Sequence, residues 1–197
     1  MKNTKMRRML LLAACALLLV TLSVGATMAY LTSTTNTVRN TFTVGKVEIE
    51  LDEAKVTALG VKDGDSRVQT NTYKLLPGRT YLKDPTVHVG DESENCWLFV
   101  KVVNEIAAIE GATTIADQMT ANGWTAVAGA ENVYAYEAAV SAGADVVVFE
   151  SFTVAAEATE ADLEGCDEKA VTIIAYAVQA DNFTTAAAAW AAAPATW

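Results

Sequence analysis

From Met9 to Val24 the chain is an almost unbroken apolar run. Lys2, Lys5, Arg7 and Arg8 precede it with no acidic residue nearby, and Gly25-Ala26-Thr27-Met28-Ala29 follows. No later stretch approaches the roughly 18 apolar residues of a membrane-spanning helix. A polytopic membrane protein is therefore excluded, and the rest must build an ordinary core. Cations, an apolar stretch and small residues, in that order, are the pattern of a secretory signal, which predicts cleavage between Ala29 and Tyr30. The run exceeds the usual length of about 7–15 residues, so an uncleaved N-terminal anchor is the competing reading. Leu12-Ala13-Ala14-Cys15 also has the form of a lipidation site, although the apolar run continues past Cys15 where a polar tether is expected. The expected organisation is a signal peptide over 1–29 and one domain over 30–197.

The whole chain carries 14 Lys+Arg against 24 Asp+Glu, a net charge of −10. Removing the four cations of the leader leaves 10 against 24, a net of −14 for the remainder. A domain this acidic is soluble and has no basic face for phosphates, so nucleic acid is excluded as a partner.

Beyond the leader the dominant signal has a period of two. Tyr30 to Val44 is rich in Thr, Ser and Asn, free of Pro and Gly, and charged only at Arg39. Val38, Phe42 and Val44 share one face of it. After Gly45 the alternation resumes out of phase through Val47, Ile49 and Leu51, so a bulge is expected at the glycine. Further strands are expected over Lys55–Leu59, Tyr73–Leu76, Thr86–Val89, Cys96–Asn104, Trp124–Val127, Val133–Tyr136, Ala144–Val154 (bent near Ser151) and Val171–Gln179. Lys62-Asp63-Gly64-Asp65 and Pro77-Gly78 have turn composition. Short helices are expected over Thr113–Ala121, Thr159–Leu163 and Asn182–Ala193. Many short strands with few helices predict an all-β fold, an antiparallel β-sandwich.

Several segments together resemble the TasA/camelysin-like family, exported proteins processed by a SipW-type signal peptidase in Gram-positive bacteria. They are AYLTSTTNTVRNTFTVGKVEIELDEAK at 29–55, YKLLPGRTYLKDPTVHV at 73–89, CWLFVKVVN at 96–104, VVVFESFTV at 146–154 and VTIIAYAVQADNF at 171–183. The resemblance implies a jelly-roll sandwich, secretion to the extracellular matrix or cell surface, and assembly into fibres by donation of an N-terminal strand to the next subunit. Tyr30–Val44 has the composition such a strand needs, with Val38, Phe42 and Val44 as its anchors. An ordinary edge strand or an unstructured leader would also account for these residues.

Some relatives in that family have been described as metallopeptidases. Zinc hydrolysis typically needs three protein ligands. This chain has one histidine, His88, and no H-E-x-x-H. His88 is expected opposite Val87 and Val89 on a short strand, facing solvent. No catalytic residue, metal or cofactor is therefore expected. The acidic clusters Asp63/Asp65 and Asp91, Glu92, Glu94 lack the spacing of a calcium loop. Trp97, Trp124 and Trp190 are expected in the core or at docking contacts. Cys96 and Cys166 can form a disulfide in an exported protein; alternatively Cys96 is a small buried hydrophobe and Cys166 an exposed free thiol. The expected function is a non-enzymatic matrix or fibre subunit whose partners are copies of itself, the signal peptidase and other matrix proteins. A monomeric adhesion module of the same fold is the alternative, and a metallopeptidase a third reading.

Overall fold

The computed structural model describes residues 3–14 and 45–193. The chain divides into two units, Met1–Thr43 and Val44–Trp197. In the first, residues 3–14 form a helix, α1. No helix among the described residues is long and apolar enough to cross a membrane. The expected cleavage pair Ala29 and Tyr30, and the anchors Val38, Phe42 and Val44, lie outside the described residues.

The second unit is mostly β. Its strands are β1 (Ile49–Val56), β2 (Lys62–Val68), β3 (Thr80–Leu82), β4 (Thr86–Val89), β5 (Cys96–Asn104), β6 (Trp124–Ala126), β7 (Val133–Tyr136), β8 (Asp145–Val147), β9 (Ser151–Thr153) and β10 (Val171–Gln179). Two four-stranded antiparallel sheets run in the orders β2-β1-β4-β8 and β10-β5-β7-β6, and β3 pairs with β9. Leu98, Val100 and Val102 of β5, Val87 and Val89 of β4 and Val146 of β8 fill one apolar core. The architecture is an all-β sandwich with a few short helices: α2 (Ile115–Ala121), α3 (Glu160–Glu164) and α4 (Ala186–Ala191).

Strand β5 is apolar on both faces because both faces are covered. Its other face carries Trp97 and Phe99, which pack in a second cluster with Phe183, Ala189 and Trp190 from the α4 segment. A strand buried on both sides reads as a continuous apolar run instead of an alternation. Each fully buried side chain of this size contributes about 1.5–3 kcal/mol. Thr114 and Asp117 form a reciprocal cap at the start of α2, as do Thr159 and Asp162 at α3. Helix α4 is shorter than expected because Thr185, not Asn182, is its N-cap.

Five local expectations are corrected. Lys55–Leu59 is not a strand of its own: β1 ends at Val56 and a turn follows, with Gly60 N donating to Thr57 O at 2.8 Å. Lys62–Asp65 is not a turn but the start of β2, an edge strand whose residues are almost all exposed. Lys55 pairs with Asp63 across it at 2.8 Å. A polar strand at an edge has no apolar alternation to betray it, and its charges discourage further pairing. The irregularity in β1 falls between Ala54 and Val56, not at Gly45, which precedes the strand. Tyr73–Leu76 is a loop, held because Tyr81 Oη donates to Lys74 O and accepts from Leu76 N, both at 2.7 Å. Ala144–Val154 is two strands, β8 and β9, in different sheets. Gln118 of α2 satisfies the break: its Nε2 donates to Ser151 O at 2.8 Å, and its Oε1 accepts from Glu150 N and Ser151 N at 3.2 Å. Strand β3 is not among the strands expected from the sequence. It lies over Gly60, where a Cβ would sit 2.7 Å from Tyr81 Cα, so only glycine fits that turn.

Candidate functional site

Strand β10 is the last described strand of its sheet. It pairs with β5 through all nine residues, and among the described residues no strand pairs with its other edge. The first half of β1 is open in the same way: Ile49–Asp52 pairs with β4, whereas β2 pairs only from Glu53 onward. Between these segments lies an open groove of about 1570 Å³. Ile49, Leu51, Ile173 and Ala175 line it, and all four are only partly buried although they pack against the core. Glu164, Asp167 and Glu168 make part of its rim acidic. Unpaired backbone beside half-covered apolar side chains can accept an added β-strand.

At its other end the groove is lined by Glu53, Asn71, Tyr73 and Lys83. Glu53 and Lys83 are buried and joined at 2.6 Å. Burial, together with the charges of Glu53 and Asp84, pushes the Tyr73 hydroxyl above its ordinary range.

A polar network involves Asp52 of β1, Arg67 of β2, Asp84 just before β4, Thr86 and His88 of β4, and Asp145 of β8. Arg67 donates to Asp52, to Asp84 Oδ2 at 3.1 Å and to Thr86 Oγ1 at 2.9 Å. His88 Nδ1 meets Asp145 Oδ1 at 2.6 Å and Nε2 meets Asp52 Oδ1 at 2.9 Å. Burial alone would lower the His88 pKa, but hydrogen bonds to Asp145 and Asp52 outweigh it and raise it. Burial alone would raise that of Asp52, but hydrogen bonds from Arg67 and His88 hold it below its ordinary value. His88 is thus not a bare solvent-facing side chain. Both of its ring nitrogens lie within hydrogen-bond distance of carboxylates.

Cys96 and Cys166 are both free and both buried. The bond that the sequence permits is not formed, and Cys166 is not the exposed thiol of the alternative reading. Cys96 is at one end of β5, and Asn104 at the other end faces Val171, shortly after Cys166. The length of that strand is roughly 26 Å, whereas bridged Cα atoms lie within about 7 Å. Burial raises the Cys96 thiol pKa to about 11. Trp97 and Trp124 are buried, and Trp190 packs against Phe99 with ring centroids 5.2 Å apart. Asp65 pairs with Lys62 and Glu92 lies 4.0 Å from Lys46. No cluster of three or more His, Cys, Asp or Glu among the described residues could hold a metal ion.

Comparison of the chain with family models, with curated proteins and with solved structures finds no match.

Proposed function

We propose that this chain is a secreted, non-enzymatic structural subunit of extracellular-matrix or surface fibres, a jelly-roll domain that polymerises head to tail by strand donation. The observation that carries this reading is the edge of β10 that no strand among the described residues pairs, beside the half-covered apolar residues Ile173 and Ala175. The occupant is residues 30–44 of the next copy, freed at Tyr30 by a SipW-type signal peptidase. Val38, Phe42 and Val44 would meet the apolar floor, and Arg39 would meet the acidic rim at Glu164, Asp167 and Glu168. A head-to-tail contact of this kind does not close on itself, so it extends into a filament. The engagement of the lone histidine by two carboxylates argues against a peptidase. Other matrix proteins with a similar strand would dock in the same groove.

Electron microscopy of the purified mature protein should show filaments. Deletion of residues 30–41 should abolish them by removing the donor, and Ile173→Asp should abolish them by placing a charge in the acceptor. Mixed together, these two variants should form a heterodimer and nothing longer, since one retains a working groove and the other a working strand. Filaments that persist after the deletion would sink the strand-donation reading. A single monomeric species at all concentrations in light scattering would instead favour the adhesion module.

A further inference from the structure

The buried cluster at the end of the groove has more chemistry than a salt bridge requires. Lys83 Nζ donates to Glu53 Oε2 at 2.6 Å, and Asn71 Nδ2 donates to Glu53 Oε1 at 2.9 Å. One carboxylate thus holds an amine on one oxygen and a carboxamide on the other. Asn71 Oδ1 accepts from Val56 N at 3.0 Å, which polarises the carboxamide carbon toward attack. Lys83 and Glu53 are 8% and 5% exposed. The Lys83 amine lies 6.0 Å from the centre of the Tyr73 ring, and Tyr73 packs edge-on against Tyr81 and Phe152. A buried ion pair is a poor stabilising device in itself, because desolvation offsets its attraction. That contact places Glu53 to take a proton from Lys83 Nζ, which a lysine must lose before it can act as a nucleophile.

We propose that Lys83 and Asn71 join in an intramolecular amide bond, with Glu53 as the proton carrier. Glu53 takes a proton from the Lys83 ammonium, and the free amine attacks Asn71 Cγ. Glu53 then delivers that proton to Nδ2 while accepting a second from Nζ. The Cγ–Nδ2 bond breaks as Nζ–Cγ is completed, and the nitrogen leaves as ammonia. The new amide keeps one hydrogen and the remaining proton stays on Glu53, so charge balances and no oxidant, reductant or other co-reactant is needed. The bond ties the segment after β2 to the residue that follows β3, across the irregular part of β1. It fixes one wall of the groove whatever occupies the groove, so it stands or falls separately from polymerisation.

Mass spectrometry of the exported chain, with its N-terminus sequenced, decides the question. The intact protein should be lighter than its sequence by one ammonia, and digestion should yield a branched peptide in which Lys83 is joined to Asn71. Lys83→Arg and Glu53→Gln should each show the full mass of their own sequence. Asn71→Asp should lose water instead of ammonia and converge on the mass of the wild type, because the product is the same molecule. A wild-type protein at full sequence mass would overturn the proposal, whether or not any variant folds. Loss of ammonia located in a linear peptide, as a cyclised Asn71-Thr72 would give, would overturn it equally. A bond that forms undiminished in Glu53→Gln would overturn the role given to Glu53.

Discussion

Strands β5 and β10 lie side by side through nine paired residues, and both are mainly apolar. Yet six residues of β5 are buried and none of β10 is. Phe99 is fully covered, whereas Ile174 is 42% exposed. Residue type does not explain the contrast, but neighbours do. Among the described residues, strand β5 has a strand on each edge, the core on one face and α4 on the other, whereas β10 has one strand neighbour and incomplete cover on both faces. An apolar strand with half its cover present carries surface that association would bury.

The contrast is broken most directly by truncating both strands. Phe99→Ala should cost about 3–5 kcal/mol in urea denaturation, as expected for an aromatic side chain removed from a closed core. Ile173→Ala, at a site already half open, should cost about 1 kcal/mol in the monomer. Equal costs would mean that β10 is as well covered as β5. Filling the groove should then make the two strands alike. In a variant lacking residues 30–44, a peptide of those residues at a hundredfold its dissociation constant should add about 2.7 kcal/mol to stability. The same peptide should add nothing to that variant when it also carries Ile173→Asp. A third variant probes the closed side. Gln118→Ala removes three hydrogen bonds from the break between β8 and β9, and should cost about 2 kcal/mol if those backbone groups find no water.

Much of the closed region was legible in the sequence, because it follows local rules. The bounds of β4, β5, β7 and β10 match those read from alternation and turn residues. The end of α2 at Ala121 matches as well, although its start at Ile115, capped by Thr114, lies two residues later than expected. What escaped the reading depends on partners distant in the chain. The stretch at 62–65 has turn composition, but β1 recruits it as an edge strand. The apolar run at 144–154 reads as one strand, yet Gln118, more than twenty residues upstream, accommodates its division between two sheets. The groove was not legible at all, because it lies between strand edges that only the sheet order reveals. Nor was the meeting of Glu53, Asn71 and Lys83, which no spacing rule brings together. His88 could be placed on the face opposite Val87 and Val89, but Asp52 and Asp145 beside it follow only from the register of three strands.

That register makes His88 the site of the smallest expected effect. In its charged form the imidazole donates to both Asp52 and Asp145, joining β1, β4 and β8; in its neutral form it can donate to only one. Glu50 stands directly opposite on β1, while Arg67 neutralises Asp52 and Asp84 from the far side. Because the folded pKa of His88 is raised, its contribution to stability is complete below the ordinary value of about 6.5 and is lost as pH rises through the raised value. Asp52 has the opposite sign: its pKa is lowered, so its contribution is present above about 3.9 and is lost as pH falls through the lowered value. The network is therefore strongest in mildly acidic solution. The side chain of His88 is 27% exposed, and solvent screening should hold the histidine effect below about 1 kcal/mol. Urea denaturation at about pH 5.5 and about pH 8 should show the wild type losing stability with rising pH relative to His88→Gln. Parallel curves for the two proteins would mean that the three strands are held by their backbone ladder alone, and that the second carboxylate at His88 adds nothing.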